Sequence, residues 1–159
     1  SLPDDNCWAK YDYGCGFRSR GIDLGIPARA RLYFEQNRKS GSKILELAGG
    51  DLNKITFGIV LEALKLGDDA ASDLVRDAGD YLGLKIAFLI NLFNPDAVVV
   101  GRGIEKAGDI FLNAVRASVK KWAYEEPLKV ARITPTSLGE NSIACGAAAL
   151  VMQQAFARI

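Results

Sequence analysis

Apolar residues recur at helical spacing along most of this chain, with one short unbroken apolar run between them. Leu74, Ala78, Tyr81, Leu82, Lys85, Ile86 and Leu89 mark one face of a helix from about Ala70 to Phe93, capped by Asp68 or Asp69. Beyond Lys85 the polar face disappears, which predicts that the second half of this helix lies inside the molecule. Asn94 precedes Pro95, whose ring drives the preceding residue out of helical backbone, so the helix should stop there. Ala97 to Val100 is apolar without alternation, the pattern of a strand covered on both faces. A further helix from Glu105 to Tyr124 buries Ile110, Phe111, Ala114, Val115, Ser118, Val119 and Trp122, and Pro127 should break it. Val130, Ala131 and Ile133, before Pro135, predict a second strand. Residues 97 to 134 thus read as strand, helix, strand, a connection that makes its two strands parallel.

Upstream, Pro27 at a first helical position introduces Ala28 to Asn37. Ser40-Gly41-Ser42 and Gly49-Gly50-Asp51 are turns. Thr56 caps a helix reaching about Leu66 and closed by Gly67. The first twenty-five residues are aromatic, charged and glycine-rich without clean periodicity, which predicts loops or short strands. At the other end, Thr136 to Asn141 is a polar turn and Ser142 caps a last helix from Ile143. Ala144, Gly146, Ala147, Ala148 and Ala149 give that helix a thin waist suited to close approach. The class expected is α/β, one domain over 1–159, with a short, partly parallel sheet packed by long helices.

A length of 159 residues suits one sizeable core. Lys and Arg number 20 against 19 Asp and Glu, which gives no sign of a polyanion-binding surface, so direct nucleic-acid binding by this chain is not expected. Histidine is absent, which removes every catalytic or metal scheme needing an imidazole from this chain. The strongest apolar stretch, Ile86 to Phe93, is too short for a membrane span, and no leader pattern opens the sequence, so no membrane contact and a cytoplasmic location are expected. Cys7, Cys15 and Cys145 are scattered, which favours reduced thiols.

The segment Gly101-Arg102-Gly103 follows the apolar strand and leads into a helix, the position where α/β proteins hold ligands. Two glycines there let main chain approach a ligand closely. A purely structural strand-to-helix turn fits the same pattern equally well. Arg102 suits anionic oxygens through its guanidinium fork, and a solvent-facing arginine fits as well. Between Cys15 and Asp23, too few soft ligands converge for zinc. Asp23 can accept hydrogen bonds from two neighbouring hydroxyls of a small polar ligand, or simply form a turn. Cys145 has no activating base and reads as a packed thiol, and Glu125-Glu126 as a solvated helix end. No residue is a candidate for catalysis.

Taken together, Leu89-Ile90-Asn91-Leu92-Phe93-Asn94-Pro95, Val98-Val99-Val100-Gly101-Arg102-Gly103-Ile104, Lys106-Ala107-Gly108 and the closing segment from Leu138 to Leu150 resemble the C-terminal half of the ROK family. That family groups bacterial sugar kinases with sugar-responsive repressors of the NagC type. The likeness extends from about Thr56 to Val151. It implies the C-terminal lobe of an actin-like, RNase H-like ATPase fold, with sugar and ATP meeting in a cleft between lobes. Gly101, Arg102, Gly103 and Gly139 would line the nucleotide side, and Asp23 would contact a sugar or phosphosugar. The resemblance also implies departures. The Asp-x-Gly-x-Thr phosphate loop and the Asn-Asp catalytic segment of family kinases have no counterpart in the 159 residues. Arg102 stands where kinases tend to carry a glycine, which counts against ATP. Residues 1–25 look like a remnant of the family's zinc and sugar segment, with Ile22 in place of a ligand cysteine and Asp23 in place of a glutamate. Zinc is therefore not expected. The resemblance leaves three readings: a regulator, a hexose kinase cut to one lobe, or a non-catalytic oligomerisation module.

Overall fold

The computed structural model describes residues 25–36, 41–101 and 103–156. The chain divides into two compact units, Ser1–Ala78 and Gly79–Ile159.

The described part of the first unit is helical. It holds α1 (Ile26–Gln36), α2 (Lys43–Leu47), α3 (Phe57–Lys65) and the opening turns of α4 (Asp69–Phe93). Pro27 falls one residue inside α1, still within the first turn, where its missing N–H has no helical acceptor to satisfy. Thr56 caps α3 by accepting from the Ile59 amide at 3.3 Å. Asp68 caps α4 through the Ala71 amide at 2.8 Å, so it and not Asp69 is the capping residue. The same carboxylate accepts from Ser42 Oγ at 2.8 Å and from the Lys43 amide at 2.6 Å. One buried acid thus satisfies the N-terminal ends of two helices. Ile26, Phe34, Ile44, Ile55, Val60 and Val75 are fully buried in this unit. Their burial supplies the main driving force for this unit.

The second unit contains the rest of α4, β1 (Ala97–Val100), α5 (Gly108–Trp122), α6 (Glu125–Val130), β2 (Arg132–Pro135) and α7 (Ser142–Phe156). The strands pair in parallel, Ala97 against Arg132 through Val100 against Pro135. Helices α4 and α5 cross with their backbones nearly touching. A Cβ built on Gly83 would lie 2.6 Å from both Ser118 Cβ and the Val115 carbonyl oxygen, and one on Gly79 would lie 2.7 Å from the Phe111 carbonyl oxygen. Only glycine fits at either position. Ser118 Oγ then donates to the Asp80 carbonyl at 2.7 Å, closing the crossing with a polar contact. Further along, the Asn91 carboxamide donates to the Trp122 carbonyl at 3.2 Å and accepts from the Tyr124 amide at 2.8 Å.

Several expectations change. The helix anticipated from Glu105 is divided: a 3-10 turn, Ile104–Ala107, precedes α5, and Gly108 between them adopts φ +70°. That backbone angle takes the chain out of the right-handed region, which residue spacing alone does not reveal. Pro127 does not break that helix. It lies in the first turn of α6, so Val130 is helical and β2 begins only at Arg132.

Burial also differs from the pattern's promise. In the second half of α4, Ile86, Ala87 and Ile90 are buried, while Phe88 is 74 % and Leu92 70 % exposed. On β1 only Val100 is buried, and Val99 is 63 % exposed. Trp122, expected in the buried stripe of α5, is exposed, while Leu112 is buried instead. From Ala144 to Phe156 α7 is exposed throughout, so among the described residues its small residues meet no close partner and Cys145 is an exposed thiol rather than a packed one. An apolar stretch records what an element is able to bury; the number of layers available to cover it is a separate matter. No helix among the described residues is long and apolar enough to cross a membrane.

Candidate functional site

The site grows from the ends of the two strands. Because the register ends with Val100 opposite Pro135, both chains leave the sheet at the same rim, the carboxyl edge where open α/β sheets hold ligands. The Thr136 amide donates to the Val100 carbonyl at 2.7 Å, extending the ladder one step and holding the departing turns together. Thr136 Oγ1 then accepts from the Leu138 amide at 3.1 Å, a local hydroxyl-to-backbone turn. Gly139, at φ +58°, follows and opens the 3-10 turn Gly139–Asn141 ahead of α7.

On the β1 side, Gly101 is half-buried and Gly103 is buried with φ +92° and ψ −16°. That left-handed backbone costs an L side chain roughly 1 kcal/mol or more. Ile104 and Ala107 are buried just after it and anchor the turn from below. The Gly103 amide is already engaged: it donates to Glu105 Oε2 at 2.7 Å. The Lys106 amide donates to the Gly103 carbonyl at 3.1 Å, closing the turn.

Of the residues singled out from sequence, Gly101, Gly103 and Gly139 therefore flank the exits of the paired strands at one rim. Arg102 and Asp23 lie outside the described residues, as do Cys7, Cys15 and the rest of residues 1–24. Among the described residues, no cluster of three or more Cys, Asp or Glu is arranged to hold a metal. Sequence reasoning missed Glu105, Thr136 and Asn91. The signal for Glu105 was present, since an acid two residues past a turn glycine is placed to cap that turn with its carboxylate. Nothing local marks Asn91, because its partners lie more than thirty residues away.

The rim's makeup is one of main-chain donors and acceptors set by glycines, with a carboxylate on one donor.

Comparison with known proteins gives a consistent picture. A model of the ROK family matches residues 35–154. Glucokinase from Streptomyces coelicolor is 28 % identical over 146 residues, covering 87 % of this chain and 46 % of that protein. The xylose repressor of Bacillus spizizenii is 26 % identical over 100 residues, covering 63 % of this chain and 26 % of the repressor. Among solved structures, a ROK family glucokinase from Streptomyces griseus in complex with glucose and AMPPNP superposes with a TM-score of 0.72 at 27 % identity, over 80 % of this chain and 41 % of the glucokinase. The chain thus spans between about a quarter and just under half the length of these relatives.

Proposed function

The chain belongs to the ROK family, and from that membership we propose that it is the C-terminal lobe of an actin-like, RNase H-like ATPase fold whose work is sugar-responsive regulation of transcription rather than phosphorylation. The observation that carries this reading is the rim. Gly101, Gly103 and Gly139 have the backbone form that suits a ligand-facing edge at the ends of the paired strands. Arg102 fills the middle of the glycine turn, where family kinases tend to carry a glycine. In this reading a sugar or phosphosugar is the ligand, Asp23 is one of its contacts, and DNA is bound by some other part of the parent protein. The protein works in the cytoplasm and takes no zinc.

A second reading is supported by one specific finding, the glucokinase whose structure with glucose and AMPPNP this chain matches over 80 % of its length. There the lobe would complete an ATP-dependent hexose kinase. A third, an oligomerisation module, is supported by the exposed apolar faces of α4 and α7.

Amide-resolved titration of the chain with glucose, xylose and their 6- or 5-phosphates tests the first reading. A sugar response, with AMPPNP bound weakly or not at all in a parallel titration, is the expected result. AMPPNP bound as tightly as the sugar would replace it with the kinase reading.

A further inference from the structure

ATP is the cofactor that kinase relatives would bring to this rim, and one residue of this chain does not fit it. We propose that Glu105 closes the glycine turn to nucleotide phosphate, and that this residue sets the ligand preference of the rim. The inference rests on reading the turn as the edge of a nucleotide cleft. The Gly103 amide is the donor that a left-handed glycine turn would offer to a phosphate oxygen, and the Glu105 carboxylate already accepts from it at 2.7 Å. Gly103 is buried and Glu105 half-buried, so the contact is partly shielded from water and its charge is incompletely screened. A phosphate arriving at that amide must displace a like-charged group and leave the carboxylate beside it. Both consequences oppose binding, whereas a neutral nucleoside meets neither.

The test uses the 159-residue chain and its Glu105→Ala and Glu105→Gln variants. Adenosine and AMPPNP with magnesium serve as probes, followed by amide shifts at Gly101, Gly103 and Gly139. Gln keeps an acceptor for the Gly103 amide, so it preserves the turn should Ala loosen it. The expected result is equal adenosine affinity in all three proteins, with AMPPNP bound roughly tenfold or more tightly by Glu105→Ala than by the original chain and Glu105→Gln in between. AMPPNP binding of the same strength in all three would overturn the role of Glu105 while leaving the cleft in place. Absence of any response to either probe in every protein would overturn the cleft reading and the inference with it.

Discussion

Two residues carry unusual structural weight. Gly83 lies where α4 and α5 touch, and a methyl group there would meet Ser118 Cβ and the Val115 carbonyl at 2.6 Å. Backbone cannot yield as a flexible side chain does, so Gly83→Ala should destabilise the second unit by about 2–4 kcal/mol despite alanine's better helix propensity. Thermal denaturation followed by circular dichroism measures this, and an unchanged midpoint would show that the crossing is looser than described. Asp68 serves three donors at two helix starts. Asp68→Ala should cost about 2–4 kcal/mol, since it leaves a buried hydroxyl and two amides without their acceptor. Urea unfolding of the two proteins gives the comparison. At this scale the sequence was readable where chemistry is local. Thr56 and Asn94 act within a few residues of themselves, as Asp68 does in capping α4, and Asn94 ends α4 with φ +46° just before Pro95. Gly79 and Gly83 were unreadable as a pair because their partners sit on another helix.

At the scale of elements, α4 separates what periodicity tells from what it leaves open. The long helix was legible from its spacing and its ends, and so were β1 and the parallel partner that follows it. Which of its faces is covered was not, because a helix apolar all round looks alike whether one layer or two lie against it. The exposure pattern makes a contrast measurable. Ile90→Ala, at a fully buried position, should lower stability by about 2–4 kcal/mol, whereas Phe88→Gln with Leu92→Gln should stay within about 0.5 kcal/mol per site. Sedimentation velocity on the double variant should show less self-association than the original chain, because the two most exposed large apolar groups on α4 are gone. Equal loss from both sets of changes would mean that the outer face is covered in solution. The division at Gly108 and the placing of Pro127 in α6 escaped prediction for a shared reason. Each depends on a backbone angle or a helix start chosen by the surrounding packing.

For the whole molecule, the chain is a ROK family member of helix-rich α/β form with a small parallel sheet. The glycines of the rim were legible because strand, glycine and helix follow one another in sequence. An acid two residues past a turn glycine signals a cap on the Gly103 amide, but hydrogen-bond geometry decides whether that acid caps the turn or faces water, so the signal was present and the contact was not. With ATP and glucose supplied together, the isolated chain should release no ADP above the background rate in a coupled assay. The phosphate loop and the catalytic aspartate that such turnover requires have no counterpart in it.

The four-residue ladder between β1 and β2 works as a vernier. Sliding one strand past the other by a single residue would offset the two loops by about 3.3 Å and reverse which side chains share a face. Residues added to the short turns on either side of α6, between Trp122 and Arg132, can bulge outward without altering that alignment. A graded series of insertions there should therefore leave ligand affinity flat, up to the point where the pairing slips by a whole step and affinity drops at once.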